Sequence, residues 1–484
     1  MDAQWLYSAV ILVLEALAAV FVYTRNSGHR NGFVSPPGLF SIPFIFDDTA
    51  GIVKDFAGLV QERFKKLNAS CIQLTIAGQK NYFIRGNKIV PRLLAAEHDI
   101  VEAYWPSTTE SLLPRGVIAY HHEEHAAMRK LLNPAFSMKA SISWLPKMVA
   151  IIEEHMQSWA QQGDIKFQKS CQHMTFEIVT NVMLDFPDSF LKEGRLEQFM
   201  DLYRTWEDGL FALPFRIPGL ALDKALKARD ALNKIIAANL PSLNPSSAAE
   251  REGSKVQRTA LQEIYRAPAD QPDSMEPDRQ TGLALNLLFA GYDTSASTMC
   301  YTIQELQKNP QVMEALRKEQ QQVRKEYGEE ITADAVSASP YVNAVIRETL
   351  RTHLLVPMVP RRSLVDLNVD KYFIPKGKPI WLDIGTATKY DERWEGQEGT
   401  PLGLERYNPD RWLSEEGARM GNWLPFSGGP RICLGWQTAM LELKAWLMLL
   451  ARKYSAHVAD LDEKWVLSAF PVYNNGMETT FKAL

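Results

Sequence analysis

The chain has 484 residues, 46% of them hydrophobic and 23% charged, with a formal net charge of −4. Those proportions belong to a folded protein. The weak negative balance offers no general field for nucleic acid, and four cysteines scattered over such a length exclude a disulfide framework.

The first element in chain order is an apolar run, Trp5 to Tyr23, reading WLYSAVILVLEALAAVFVY. About 20 helical residues cross a hydrocarbon core of ~30 Å. Aromatic rings at both ends suit the membrane interface. Arg25, His29 and Arg30 follow while only Asp2 precedes, so the positive-inside rule keeps the bulk of the chain on the cytosolic side. A cleaved signal peptide would need a basic leader and a small-residue cleavage site, and neither stands out. Glu15 is costly at mid-membrane, so the helix either spans with that carboxyl neutralised or lies in the interface. The expected organisation is a membrane anchor over 1–24, a linker with a proline hinge (Pro36-Pro37-Gly38) over 25–40, and one large domain over 41–484.

Beyond the hinge, CIQLTIAGQKNYFIRG alternates apolar and polar residues around a glycine and predicts a hairpin. From about Pro91 to Leu243 helical periodicity dominates, as in WLPKMVAIIEEHMQSWAQQ. Within it His121, Glu124 and His125 spell HxxEH, the inverted zinc-peptidase motif, which makes a metalloprotease the rival from another reaction class. No third carboxylate ligand is evident on a similar helix downstream. A long apolar helix is predicted from Thr281 to Leu306. At its centre LLFAGYDTSAST sets Gly291, Asp293 and Thr294 among apolar neighbours. Thr294 can bond back to the carbonyl four residues earlier and Gly291 removes packing, so the helix can open locally beside an acid and an alcohol.

Glu348 and Arg351 lie three apart on one helix face, and Arg411 follows a proline turn in RYNPDRW. Glu348 can accept from both arginines and lock helix to loop. Short strands and turns fill the region from Pro357 to Ile384. Last comes FSGGPRICLG, Phe426 to Gly435, with Cys433 among Gly428, Gly429 and Gly435, beside Arg431 and just before an apolar helix. The glycines permit backbone close to something flat. A helix start with a nearby cation stabilises a thiolate. A cysteine-protease nucleophile would need a recognisable His partner, and none is evident. A metal-ligating thiolate fits better, and a single Cys as the sole protein ligand points to haem.

These residues together resemble the cytochromes P-450, in the family's order and over nearly the whole chain. Phe426, Gly429, Arg431, Cys433 and Gly435 match the haem-binding signature FxxGxRxCxG; Ala290, Gly291, Asp293 and Thr294 match the oxygen-binding groove of the long helix; ETLR matches ExxR. His125 and Arg129 stand where the family usually has WxxxR, with His in place of Trp. That position moves His125 from zinc to a haem propionate.

The resemblance implies a mainly α fold with a minor β region, in one large domain after an N-terminal membrane helix. It implies haem b (iron protoporphyrin IX) ligated by Cys433, with Arg129, Arg431, His125 and either Arg361 or its neighbour Arg362 on the propionates. Asp293 and Thr294 would relay protons to the oxygen being activated, and Glu348, Arg351 and Arg411 would form the structural lock. The implied reaction is insertion of one atom of O2 into a hydrophobic substrate, isoprenoid or steroid-like or else a fatty acid. Ala290 stands where members that link haem covalently carry Glu. Electrons would come from NADPH through NADPH-cytochrome P-450 reductase, with cytochrome b5 as a second donor. Lys130 and Lys444 are the cations expected to meet the reductase. The microsomal type implies an endoplasmic-reticulum membrane with the catalytic domain in the cytosol. Two alternatives are an isomerase or dehydratase of peroxides without an external donor, and a haem-binding protein without turnover; neither needs the Asp293–Thr294 pair.

Overall fold

A computed structural model describes residues 33–38, 48–76, 78–113, 116–187, 190, 194–210, 212, 216–240, 277–390, 406–418, 421, 423–463, 465–467 and 471–484. The expected anchor lies outside these residues, and among them no helix is long and apolar enough to cross a membrane. They form two compact units, Met1–Tyr104 with Pro357–Ala387, and Trp105–Val356 with Thr388–Leu484.

The first unit is built on a five-stranded sheet in the order Cys71–Ile76, Gln79–Ile84, Pro379–Asp383, Met358–Ser363, Val101–Ala103. The hairpin read from the alternating pattern is there, with Cys71 opposite Ile84 and Ile76 opposite Gln79. Gln79–Ile84 then runs parallel to Pro379–Asp383, and the remaining pairs are antiparallel. Helix α1 (Phe56–Leu67) is capped by Asp55, whose carboxylate accepts from the Gly58 N–H, a satisfied donor at the helix start. The proline hinge lies at the sheet edge. The Gln73 N–H donates to the Pro37 carbonyl at 2.9 Å, and a Cβ on Gly38 would stand 2.6 Å from the Gln73 carbonyl oxygen, so only glycine fits.

The second unit is helical. Its principal helices are α2 (His122–Leu132), α3 (Met138–Gln162), α4 (Phe167–Ile178), α5 (Arg195–Glu207), α6 (Ala221–Asn239), α7 (Pro277–Gly291), α8 (Asp293–Lys308), α9 (Pro310–Tyr327), α10 (Pro340–Thr352) and α11 (Trp436–Lys453). A small antiparallel sheet joins Asp164–Lys166, Glu478–Ala483 and Tyr454–Val458. Trp144, Trp206 and Trp446 are fully buried anchors of the core, and the Ser141 and Thr438 hydroxyls bond α3 to α11 at 2.8 Å.

The long helix expected from Thr281 to Leu306 is interrupted at Tyr292, between α7 and α8. Thr294 Oγ1 donates to the Ala290 carbonyl at 2.8 Å, and Thr175 on α4 donates to the Tyr292 carbonyl at 2.9 Å. Side-chain hydroxyls thus add to the backbone bonding at the break, where the Tyr292 carbonyl accepts from Thr175 as well as from the Ala296 N–H at 3.1 Å. Packing adds to this. After α4 the chain makes a π turn, Val179–Met183, and a Cβ on Gly291 would stand 2.9 Å from Val179 Cγ2. Gly291 is what lets the end of α7 approach that turn.

Candidate active site

Cys433 lies two residues before the cap of α11 on a loop pinned by its own backbone. Its N–H donates to the Phe426 carbonyl at 2.8 Å and the Ile432 N–H to the Gly429 carbonyl at 3.1 Å. Gly429 has a φ of 65°, a conformation glycine adopts without strain. Burial pushes the thiol up, while the Gly435 N–H and the Arg129 guanidinium pull it down. Arg129 on α2 donates to the Ile432 carbonyl at 2.9 Å, and Arg431 to the Tyr120 carbonyl at 2.6 Å. His125, one turn before Arg129, is buried. This unit therefore brings a thiol and two guanidinium groups to one loop, with the buried His125 imidazole one helical turn before Arg129.

Thr281 to Leu288 on α7 are all buried, as are Tyr292, Asp293 and Ser295. Ala290 is exposed, and Gly291 and Thr294 are half-buried. An open facet in the middle of a core helix marks space beside it. Gly435 tells the same story from the loop. Its φ of −88° demands no glycine, yet no atom stands within 4 Å of where its Cβ would be. Protein packing does not require a glycine there.

Asp293 turns to the other side of the break. It is buried, and Gln172 on α4 donates to its Oδ1 at 2.6 Å. Burial raises its carboxyl to about 6, against hydrogen bonds from Gln172 and Tyr292 and the Arg204 charge. The acid and alcohol adjacent in sequence thus occupy different surroundings. Ser295 donates to Glu442 on α11 at 2.9 Å, and burial pushes Glu442 up to about 8.

Glu348 is fully buried and accepts five hydrogen bonds. Arg351 donates through Nε at 2.8 Å and Nη2 at 2.9 Å, Arg411 through Nε at 3.0 Å, the Asn408 N–H at 2.8 Å and the Trp412 indole at 2.9 Å. Both arginines also donate to the Arg406 carbonyl at 3.2 Å, so α10 is tied to the 406–412 turn.

Arg361, in the first unit, is buried with its Nε 2.7 Å from Glu97 Oε2. Its charge is compensated within its own unit, while Arg362 is half-exposed and lies over the Tyr104 ring. The HxxEH triplet does not assemble. His121 precedes α2 in extended backbone, Glu124 faces solvent, and among the described residues no three His, Cys, Asp or Glu side chains come together as metal ligands.

The profile of the family Cytochrome P450 matches residues 36–472. The chain belongs to that family. It is 26% identical over 483 residues to Cytochrome P450 26A1 of Danio rerio, covering 96% of this chain and 93% of the relative. It is 25% identical over 475 residues to Beta-amyrin 11-oxidase of Glycyrrhiza uralensis, covering 94% and 93%. Its fold is similar to that of the solved structure "Retinoic acid bound cyanobacterial CYP120A1", with a TM-score of 0.81 and 23% identity over 94% of this chain and 100% of that one. The single family match runs through both units. Membership makes the chain a cytochrome P450 monooxygenase, and the family implies haem and a redox partner.

The residues present fit haem. One thiol on a glycine-rich loop suits an iron ligand, the nearby cations suit two carboxylates, and Gly435 and Ala290 leave room where side chains would otherwise stand. Gln172, Glu207 and Glu442 escaped sequence reasoning. Each is a lone polar residue in a helix, and its partner is 85 to 147 residues away.

Proposed function

We propose that this chain is a membrane-anchored haem-thiolate monooxygenase acting on an isoprenoid or steroid-like substrate, with electrons from NADPH through a reductase. The observation that carries the reading is that one helical unit holds both the Cys433 loop and the opened Ala290–Thr294 facet. Haem b bound through Cys433 supplies the activation of dioxygen. The protein's part is to hold and to deliver. Cys433 would ligate the haem iron, with the Gly435 N–H and Arg129 favouring its thiolate. Arg129, Arg431 and His125 hold the propionates, and Arg361, tied to Glu97, contributes less than its position in the sequence suggests. Thr294 presents its hydroxyl on the opened facet and would pass a proton across it, while Asp293, turned to the other side of the break onto Gln172, would serve as the general acid only by swinging toward that facet. Phe426, Gly429 and Gly435 shape the loop around the thiolate. Glu348, Arg351 and Arg411 keep its supporting turn in place.

The substrate class rests on the presence of Beta-amyrin 11-oxidase and Cholesterol 16,22-dihydroxylase among relatives of similar length. The anchor rests on the Trp5–Tyr23 run and its flanking charges, and the endoplasmic reticulum is the membrane this type of chain would enter. For docking of a reductase, Lys130 is exposed, whereas burial and Arg347 lower Lys444 to about 8, so Lys444 is the weaker cation. A spectral binding screen of the purified protein against sterols, triterpenes, carotenoids and fatty acids tests the substrate. Isoprenoids are expected to shift the haem spectrum at lower concentration than fatty acids. A response to fatty acids alone would overturn the assignment.

A further inference from the structure

Away from the Cys433 loop, α8, α9, α11 and the strand Tyr454–Val458 border a groove of about 690 Å³. That volume falls within the range of small-molecule sites. Ile303 and Leu306 on α8 and Leu450 on α11 are buried and give the groove an apolar floor, and Met313 on α9 and Ala456 on the strand are half-buried beside it. The cations lie on the α9 side, where Arg317 and Lys318 line the groove with one acid, Glu314.

Arg317 is the unusual member. It is half-buried, its Nε is buried with no hydrogen-bond partner among the described residues, and its guanidinium makes one hydrogen bond, from Nη2 to the Tyr454 carbonyl at 3.3 Å. No carboxylate among the described residues pairs with it. Glu314, one turn earlier, is exposed and forms no ion pair with Arg317 or with the exposed Lys318. A guanidinium partly withdrawn from water without a counter-ion is costly, and a bound carboxylate offsets that cost through two charge-assisted hydrogen bonds. The cation stands directly beside an apolar floor, so the complementary ligand is an anion with a hydrocarbon body.

We propose that this groove is a second binding site, separate from the haem site, for a single-chain amphipathic carboxylate of the fatty-acid class. The carboxylate pairs with Arg317 and Lys318, and the hydrocarbon chain covers Ile303, Leu306 and Leu450. Thr294 and Ile303 lie about 14 Å apart along the axis of α8. Filling the groove therefore leaves the surroundings of the iron unchanged, and a fatty acid bound there is silent in the haem spectrum.

Laurate binding to the full-length holoenzyme tests it. The protein is held in nanodiscs of zwitterionic lipid, where partition of laurate into lipid is a background common to parent and variants. An azole that ligates the iron blocks the haem site. Equilibrium dialysis should then find one laurate bound per protein with no change in the Soret band, and added salt should weaken the binding. Arg317→Gln combined with Lys318→Gln should weaken it by about tenfold or more, the scale of lost hydrogen bonds between charged groups. Glu314→Gln should tighten it by removing a repelling charge. Dodecanol has the same chain and no charge, and it should bind the parent and the double variant alike, which shows the groove intact. A photoreactive fatty acid should label residues 303–321 or 450–456. Displacement of all the laurate by the azole would place it in the haem site and overturn the second site. Equal laurate affinity in the parent and the double variant, or labelling only outside those segments, would overturn it too. Loss of dodecanol together with laurate in the double variant would mean that the two cations hold the shape of the groove and no carboxylate, which contradicts the proposal.

Discussion

Ser295 donates its hydroxyl proton to Oε2 of Glu442 at 2.9 Å on the buried side of α8, while its neighbour Thr294 donates to the Ala290 carbonyl on the opened facet. The two hydroxyls are adjacent in sequence and do not share a surface. Thr294→Ala is therefore expected to keep folding and haem binding, since a small half-buried side chain is lost. Electron consumption should continue while product per electron pair falls by at least about tenfold, the scale of a lost proton-transfer group. Adding Ser295→Ala should lower coupling no further. A double variant much worse than Thr294→Ala would show that Ser295 reaches the facet after all.

Glu442 gives a pH prediction for stability. Its carboxyl is raised from 4.5 to about 8 by burial, so between those values the folded chain holds a proton that the unfolded chain has released. Its contribution to stability is complete below the unfolded value and is lost as pH rises toward about 8, with a limiting slope of about 1.4 kcal/mol per pH unit. Glu442→Gln should flatten that decline. Urea unfolding of parent and variant from acid to mildly alkaline pH reads the difference. Parallel curves would mean that Glu442 is ionised in the folded state.

The Glu348 network sets a stability expectation of another kind. Breaking a buried ion pair by removing one partner leaves an uncompensated charge, at a cost of about 3–5 kcal/mol. Arg411→Ala and Glu348→Gln should each lower the urea midpoint and the haem retained on purification. Arg351→Lys should fare little better, because a lysine cannot make the two-pronged contact to Glu348. Normal midpoints in all three would show that the 406–412 turn is held by other contacts.

Much of this was legible in the sequence where the signal is local. The hairpin shows through strict alternation, the Cys433 loop through its glycines and the helix that follows, and the opening of the long helix through Gly291 and Thr294. The ends of the long helix were legible, but not the contact at Tyr292, whose carbonyl also accepts from Thr175, 117 residues away. The same distance hides Gln172, Glu207 and Glu442, since a lone acid or amide in a helical pattern looks like a solvated face. Lys444 misleads for the opposite reason, as a lysine in an apolar run that is half-buried and whose charge is disfavoured by burial and by Arg347. Arg361 reads as a propionate ligand, and only the fold shows Glu97 beside it.

Removal of residues 1–30 should release the protein from membranes and leave its haem content unchanged. The cut falls before Val34, whose N–H donates to the Lys371 carbonyl at 2.9 Å, and before Pro37, whose carbonyl accepts from Gln73, so the first unit keeps both of these contacts. Sedimentation with membranes and the haem-to-protein ratio measure the two effects. Loss of haem on truncation would make the segment part of the fold.

The most direct measurement is the spectrum of the reduced protein under carbon monoxide. With Cys433 as the thiolate ligand, the Soret band should take the strongly red-shifted position that thiolate ligation gives the carbon monoxide adduct. Cys433→His should abolish that band and replace it with one typical of an imidazole ligand. An unchanged red-shifted band in Cys433→His or Cys433→Ala would contradict the assignment of the axial ligand, and with it the account of the site.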